Sequence, residues 1–441
     1  MQRLYGAGFA ALFCSVSTIA MADCAPDSIP KGATATCTGT DLDGFKDGSD
    51  EITVIVDSGA SVFGDDARAI DIDGDDTVLV NAGTIDATGA GKDAVRGGSG
   101  FYIYNTGDIL GGADGIDARA GGVTVINEGD ITAVKRGLHI DDDGGVGGDD
   151  NYVENYGSIV STDNEGIEAR DRATIYNYAG ALIQGYDDAV QVAEEAFIWN
   201  AGTILSTGIP GDPQDAIDID SGEIFNTATG QIISTLDAAI DFDGSTIASI
   251  ITNEGLIRGR TGIVVETDPA EGANTAAQTV INAGGTIHAL DGPALSLGAG
   301  DDQFIDFSGV VIGDGLFGEG EDLLAVEGLD YADPFGGAGA IFDGGADTDT
   351  VRFTGFAFDD IAGVSLLPEG FRLNLQNAGG GLEIALADWE IFQFQDPSGQ
   401  NRYAEYDEAA IRALAVAPVP LPAGMVLMLS GLGLLALRRR R

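Results

Sequence analysis

Positive charge is scarce in this sequence. Its 71 aspartates and glutamates face only 21 lysines and arginines, which gives a formal net charge of −50. Such a surface repels nucleic acid and anionic membranes, so proteins that bind either one are excluded. It attracts divalent cations, although adaptation to a saline habitat accounts for the same composition. Hydrophobic residues still make up 44% of the chain, which argues against disorder and predicts a substantial core.

Histidine is equally rare. His139 and His288 are the only two, so a zinc site of three histidines and the H-E-x-x-H motif are both excluded. The stretch GAGKD at 89–93 lacks the first glycine and the final Ser or Thr of a phosphate-binding loop. The standard catalytic motifs are therefore absent from the sequence.

The N-terminus has the three parts of a cleavable signal peptide. Arg3 supplies positive charge, residues 9–19 are mostly apolar, and an A-x-A signal at 20–22 precedes Asp23. A short buried helix is the alternative. A lipoprotein signal is excluded, because Asp23 stands directly before Cys24, where a small residue is needed. The sequence predicts removal of residues 1–22 and export of the remaining chain.

Cysteine occurs three times, and Cys14 belongs to the predicted leader. The remaining pair, Cys24 and Cys37, is expected to reach an oxidising compartment. Such a pair predicts a disulfide that closes a short N-terminal loop. Metal binding by two thiols is the alternative, and no nearby histidine supports it.

An internal repeat with steps of 22 to 29 residues is the strongest pattern in the chain. Each copy has a strand that ends in asparagine, then a turn and a second strand, as in VLVNAGTI, YIYNTGDI and TVINEGDI. Asp57 in IVDSGASV is assigned the same slot one repeat earlier. The aliphatic residue two positions before each asparagine is predicted to point inward. The repeated asparagines are Asn81, Asn105, Asn127, Asn155, Asn177, Asn200, Asn226, Asn253 and Asn282.

A third short strand follows most of these turns, as in AIDID, GIDAR and GLHID, and no segment has sustained helical periodicity. This pattern predicts an all-β fold, a right-handed parallel β-helix of about ten or more coils stacked about 4.8 Å apart. The asparagines are expected to form a hydrogen-bonded ladder inside it. A β-sandwich is the alternative, but it would not keep one asparagine in register over nine repeats.

The N-x-G-x-I repeats at 54–297 resemble the passenger domains of bacterial autotransporter-type surface proteins. The resemblance implies the β-helix fold. It implies no particular activity, because such coils include adhesins, enzymes and inert stalks. The C-terminal membrane barrel of that family is lacking, so its secretion route is not implied.

Beyond residue 297 the sequence becomes rich in Gly and Asp. LGAGDDQFIDF, FGEGEDLLAV and DGGADTDTVRF resemble the calcium-binding repeats of RTX-type secreted proteins, although their spacing is about 20 to 26 residues instead of nine. The resemblance implies calcium ligands, and the alternative is that they are turn residues of further, degenerate coils. These candidates are Asp301, Asp302, Asp322, Asp347 and Asp349. Residues 388–403 are predicted to form a closing strand pair that caps the solenoid.

The predicted organisation has five parts. They are a signal peptide at 1–22, a disulfide-linked cap at 23–50, the β-helix at 51–297, a Gly/Asp-rich β extension and cap at 298–410, and a tail at 411–441.

The third strands of successive coils are predicted to align outward residues in columns. One column contains Asp71, Arg96, Asp117, His139, Glu168, Gln191, Asp218 and Asp241. Parallel β-helix polysaccharide lyases and hydrolases work from such a face with carboxylates, a base and often calcium. The catalytic candidates are Asp117, His139, Asp141, Glu168 and Arg170. The alternative is a solvated face of paired charges; the recurrence of acids along the column favours it, so we predict that the chain is not an enzyme.

Aromatic residues recur in the outward slot before the asparagine. These are Tyr104, Tyr176, Trp199 and Phe225. Flat rings on a rigid ladder can stack on sugar rings. They are also ordinary strand residues, covered by a loop or a neighbouring molecule.

The C-terminus resembles the VPLPA-type branch of the PEP-CTERM sorting signals. The motif Val419, Pro420, Leu421, Pro422, Ala423 is followed by an apolar run to residue 437 and by Arg438, Arg439, Arg440 and Arg441. The apolar run of 423–437 is predicted to form a short transmembrane helix of roughly 22 Å, less than the ~30 Å of a hydrocarbon core. The resemblance implies cleavage by an exosortase-type enzyme in a Gram-negative bacterium that makes extracellular polysaccharide. A plain tail anchor is the alternative.

These patterns predict an exported, acidic surface or matrix protein with a structural or adhesive role. The alternative is a polysaccharide-active or glycan-binding β-helix. The expected partners are the exosortase-type enzyme and extracellular polysaccharide, and the membrane is contacted only through the tail. No cofactor is required, with Ca²⁺ as the alternative.

Overall fold

The computed structural model describes residues 23–64, 67–118, 121–140, 150–265, 274–327, 340–397 and 402–415. The predicted signal peptide lies outside these residues, as do Asp141 and residues 416–441 of the predicted tail. Within the described part of the chain, no helix is long and apolar enough to cross a membrane.

Short parallel strands wind the chain into a right-handed type of β-solenoid with about 12 turns, which confirms the predicted all-β fold. Each complete coil contributes three strands, and equivalent strands of successive coils pair in parallel. The solenoid therefore has three ladders, which we number in the order in which the chain meets them.

The first ladder contains the strands that lead to the asparagine turns. Its parallel strands are Thr34–Cys37, Thr53–Val56, Val78–Asn81, Tyr102–Asn105, Thr124–Asn127, Tyr152–Asn155, Thr174–Asn177, Ala196–Asn200, Gly222–Asn226, Ser249–Asn253, Gln278–Asn282, Gln303–Phe307, Leu323–Glu327, Thr350–Thr354 and Ile391–Gln395. This ladder extends beyond both ends of the 51–297 segment predicted for the β-helix.

The second ladder follows the turns. Its strands are Thr40–Asp41, Ser61–Phe63, Thr84–Asp86, Asp108–Gly111, Asp130–Ala133, Ser158–Ser161, Leu182–Gly185, Thr203–Ser206, Gln231–Ser234 and Leu256–Gly259. The third ladder contains Phe45–Lys46, Ile70–Ile72, Val95–Gly97, Ile116–Asp117, Leu138–Ile140, Ile167–Ala169, Val190–Val192, Ile217–Ile219, Ala238–Phe242, Thr261–Val265, Phe342–Ala346 and Gly381–Ala387. Two long strands, Thr286–Ser296 and Val310–Glu319, run through both ladders.

The core is a continuous stack of aliphatic side chains. The nine residues that lie two positions before the repeated asparagines, from Leu79 to Val280, are all 0% exposed, as the alternation predicts. Each such burial is worth about 1.5–3 kcal/mol relative to an exposed side chain. The turn glycines stack closely as well: a Cβ on Gly129 would lie 2.1 Å from the carbonyl oxygen of Gly107. This contact explains the glycine of the N-x-G motif.

The repeated asparagines form the predicted ladder inside the solenoid. All nine are 0% exposed. Each Nδ2 donates to the Oδ1 of the next asparagine at 2.8–2.9 Å, and the last one, Asn282, donates to Asp306. The amide suits this slot because it can accept from one coil and donate to the next.

The slot is filled differently at its N-terminal end, where one prediction is wrong. Asn81 pairs in register with Val56, so Asp57 lies outside the slot and is exposed. Val56 pairs in turn with Cys37, which is bonded to Cys24 in a disulfide. In the first two coils the slot is therefore occupied by a disulfide-bonded cysteine and by valine. No asparagine precedes them, so no side-chain amide needs an acceptor there.

The C-terminal end is closed by antiparallel structure. Strands Ile361–Leu366, Phe371–Gln376 and Gly381–Ala387 form a meander, and Tyr403–Asp407 pairs antiparallel with Ile391–Gln395. The closing pair thus begins inside the predicted range 388–403 and extends beyond it. Helix Glu408–Ala415 follows and buries Ile411. These elements cover the last parallel strands.

Candidate ligand-binding face and charged cluster

The outward side of the first ladder carries a cluster of aromatic side chains. Six rings from three consecutive coils contact one another, and we call them the aromatic cluster: Tyr152, Tyr156, Tyr176, Tyr178, Phe197 and Trp199. All six retain some exposure, and Tyr156 is 45% exposed. The parallel register holds them in place, because strands ending at Asn155, Asn177 and Asn200 lie side by side.

The rings of the aromatic cluster are packed in two ways. Tyr156 and Tyr178 lie face to face, with centroids 4.0 Å apart and planes 6° from parallel. Tyr176 and Trp199 are tilted by 46° at 6.2 Å, and Trp199 is tilted by 56° against Tyr178. Offset and tilted pairs of this kind stabilise each other beyond the area they bury.

Glu154 fixes the hydroxyl side of the cluster. The hydroxyl groups of Tyr152 and Tyr156 donate to its two carboxylate oxygens, the second at 3.0 Å. Burial and the hydrogen bond to Glu154 raise the pKa of Tyr152 above its ordinary value. The face thus combines ring surface with phenolic hydroxyls and one carboxylate.

The sequence predicted only part of this surface. Tyr176, Trp199 and Phe225 are register neighbours on successive coils, as expected. Tyr104 lies in the same column but is separated from Tyr176 by Ile126 and Glu154.

The other members of the cluster were missed. Tyr152 and Phe197 occupy the outward position three residues before the asparagine, and Tyr156 and Tyr178 directly follow it. The repeated Asn-Tyr pair was the signal that could have revealed them.

The third ladder carries the charged column in the predicted register. It extends back to Lys46 and contains Lys46, Asp71, Arg96, Asp117, His139, Glu168, Gln191, Asp218 and Asp241. Basic and acidic residues alternate along its first half, and Lys46 Nζ lies 2.6 Å from Asp71 Oδ2. Neighbouring opposite charges stabilise adjacent strands of a sheet.

The expected solvated face is wrong for much of this column. Asp71, Asp117, His139 and Asp241 are 4–7% exposed. The strands of the third ladder are short. Charged side chains from the turn that precedes each strand therefore reach across it. Arg68 Nη2 lies 3.8 Å from Asp117 Oδ2, for example.

His139 lies at the centre of the most crowded part of the column. Its Nδ1 is 3.4 Å from Asp114 Oδ2 and 3.8 Å from Asp117 Oδ1, and its Nε2 is 3.5 Å from Glu168 Oε2. Arg136 contacts Glu168 in turn. Burial opposes ionisation of Asp114, but hydrogen bonds from His139 and the backbone of Arg136 hold its pKa below the ordinary value.

The structure therefore brings together three of the five catalytic candidates, Asp117, His139 and Glu168. Arg170 directly follows the strand of Glu168, and both residues line a groove of about 180 Å³ together with Asp218, Asp220 and Asp243. Asp141 lies outside the described residues. The groove and His139 are on the same side of the solenoid, but His139 does not line the groove.

Beyond Gln191 the column continues with Asp218 and Asp241, before Val264 takes the same position. Burial, and after it the charge of Asp218, raises the pKa of Asp188 to about 9. Burial and the charge of Asp241 raise the pKa of Asp215 to about 10. These carboxyl groups keep their protons at neutral pH in the folded chain.

The predicted calcium candidates separate into two groups. Asp302, Asp322 and Asp349 are 0–2% exposed at the corner before the first ladder, and each Oδ1 accepts a backbone N–H from the preceding coil. Burial raises their pKa values to about 8, 6 and 7. Asp301 and Asp347 are exposed. The buried three are corner residues of further coils, and calcium binding stays a prediction.

Comparisons of the chain with protein families, curated proteins and solved structures found no match. Its own geometry must indicate its function. Two features of that geometry are available: the aromatic cluster, which is partly exposed to solvent, and the group of Asp114, Asp117 and His139, which is buried.

Proposed function

We propose that this protein is an exported structural or adhesive component of the cell surface that binds polysaccharide through the aromatic cluster. The observation that carries the proposal is the contact of six aromatic side chains from three coils on one outward face. Sugar rings present flat C–H faces to aromatic rings and hydroxyl groups to polar partners. Trp199 and Tyr176 supply the rings, and Tyr156 and Glu154 supply the hydrogen-bonding groups.

The solenoid supports this role because it holds the face rigid. The asparagine ladder and the aliphatic stack lie directly behind the aromatic cluster, so binding requires little ordering of the protein. Less conformational entropy is then lost on association. A polymer that runs along the solenoid axis can contact several coils at once, and each contact adds to its retention.

A polysaccharide-cleaving enzyme is the alternative. Asp117, His139 and Glu168 contain the groups that such a reaction needs, but His139 is 7% exposed and carboxylates face both of its ring nitrogens. This arrangement favours a structural role for the cluster.

Replacing Trp199 or Tyr178 by alanine is expected to weaken polysaccharide binding at least about tenfold, because buried aromatic contacts dominate such interfaces. The affinity of the purified protein is measured on a glycan array and then by calorimetry with the best polymer. Tyr104→Ala is the matched control, since Tyr104 lies in the same column outside the cluster.

An equal loss in all three variants would contradict the proposed face, as would the lack of binding to any polymer. Polymer length is measured in the same samples, with and without Ca²⁺. Shortened polymer would support the enzyme instead.

We also propose that residues 1–22 are removed on export and that an exosortase-type enzyme cleaves the tail near 419–423. Support comes from the sequence order of motif, apolar run and terminal arginines. Intact mass of protein recovered from the cell surface is expected to lack Arg438–Arg441. A recovered mass that includes these arginines would leave the tail as a plain anchor.

A further inference from the structure

We propose that Asp114, Asp117 and His139 bind one divalent transition-metal ion, with Zn²⁺ as the ion that suits the donors best. Each residue offers one ligand atom that lies within 4.8 Å of the other two, and His139 Nδ1 faces a carboxylate oxygen of both aspartates. The strands Ile116–Asp117 and Leu138–Ile140 are paired with Asp117 opposite His139, so the site joins two consecutive coils.

The separations between the donor atoms suit an ion. His139 Nδ1 lies 3.4 Å from Asp114 Oδ2 and 3.8 Å from Asp117 Oδ1. The contact with Asp114 is a long hydrogen bond, beyond the usual N–H···O range of about 2.7–3.2 Å. Ligands at about 2.0–2.1 Å from a tetrahedral Zn²⁺ are roughly 3.4 Å apart. Small adjustments of the two aspartates therefore place all three donors around one ion.

A carboxylate faces the other nitrogen of His139, as is usual for a metal-bound imidazole. Its Nε2 lies 3.5 Å from Glu168 Oε2, and Glu168 contacts Arg136. A histidine that binds a metal through one nitrogen usually donates the N–H of the other to a carboxylate. Glu168 and Arg136 thus orient the ring with Nδ1 toward the two aspartates.

The second oxygens of both aspartates face positive or donor groups. Asp114 Oδ1 accepts the backbone N–H of Arg136 at 3.1 Å, and Asp117 Oδ2 lies 3.8 Å from Arg68 Nη2. Arg68 is neutralised by Asp93, whose Oδ2 is 2.8 Å from its Nε. Each aspartate is held so that its remaining oxygen faces His139.

The charge of the cluster also favours a cation. Among the described residues, the guanidinium groups of Arg68 and Arg136 contact four carboxylates (Asp93, Asp117, Glu165 and Glu168), and His139 contacts a fifth, that of Asp114. With a neutral histidine the formal charge is −3, and a divalent ion reduces it to −1. Asp114, Asp117 and His139 are 4–7% exposed, so an ion bound to them is shielded from bulk water.

Zinc is chosen because the donor set is mixed. Carboxylates alone suit Ca²⁺ and Mg²⁺, whereas an imidazole nitrogen favours Zn²⁺ and its neighbours in the transition series. Calcium added in excess should therefore occupy the many surface carboxylates without displacing Zn²⁺ from His139.

The test uses the purified protein, freed of metal by a chelator and titrated with ZnCl₂ in excess CaCl₂. One Zn²⁺ per chain is expected, with a rise in Tm of about 5 °C at saturation. His139→Gln is expected to lose this uptake, and His288→Gln, the change at the other histidine, to retain it. Equal uptake by both variants, or the lack of uptake by the unchanged protein, would overturn the site.

Unchanged protein also provides a test that does not depend on a variant's folding. X-ray absorption at the zinc edge is expected to show one nitrogen and further oxygen ligands at about 2.0–2.1 Å. Asp117→Asn is expected to weaken zinc uptake at least tenfold. A shell of oxygen alone would refute binding through His139.

Discussion

Replacing Asn177 by aspartate is expected to lower the free energy of unfolding by about 3–5 kcal/mol. Nδ2 of Asn177 donates to Asn200 Oδ1 at 2.9 Å and to the carbonyl oxygen of Thr203 at 3.1 Å. A carboxylate oxygen in its place would face two acceptors in a fully buried slot. The change removes two hydrogen bonds and adds a buried charge without altering the volume.

The measurement is chemical denaturation of the purified protein, with hydrogen exchange to locate the loss. Exchange is expected to increase first in the coils on either side of Asn177, because each coil contacts only its neighbours. Asn374→Asp makes the same change on an exposed strand and is expected to alter stability by less than about 0.5 kcal/mol. Equal effects of the two changes would contradict the importance of the ladder.

Mild acidification is expected to stabilise the protein. The folded chain keeps the protons of Asp188 and Asp215 up to pH values of about 9 and 10, whereas the unfolded chain releases them near pH 4. Between these values the folded state binds more protons, so stability falls as the pH rises. Tm is therefore expected to rise as the pH is lowered from 8 to 5.

Asp215→Asn is expected to raise stability at pH 8 by about 2–4 kcal/mol and to flatten this dependence. The amide has the shape of the carboxyl group and needs no proton. Thermal unfolding is recorded at several pH values in the presence of a chelator, so that bound cations do not replace the protons. Asp212→Asn, at an exposed position, is the control. A lower Tm for Asp215→Asn at pH 8 would contradict the expectation.

The register of the solenoid could be predicted from the sequence because one residue type recurs in one slot. An amide that both accepts and donates is needed on every interior coil, so nine asparagines mark the interior. The two ends of the asparagine ladder carry other residue types. Val56 needs no polar partner and Asp306 only accepts, so neither resembles the repeat.

The burial of the charged column could not be predicted from the alternation of residues along a strand. The sequence correctly aligned Asp117, His139 and Glu168, because adjacent coils repeat the same spacing. It did not predict their burial. Asp114 and Arg136 come from corners, where the chain leaves the regular geometry, and only the folded coil shows that they reach across the strand.

The asparagine ladder also has a direction. Every side-chain amide in it donates toward the C-terminal end, so their dipoles add along the axis as peptide dipoles do in a helix. The positive end of this sum meets the carboxyl group of Asp306, and the negative end meets the apolar side chain of Val56. The solenoid thus has an internal electrical polarity that is independent of its net charge.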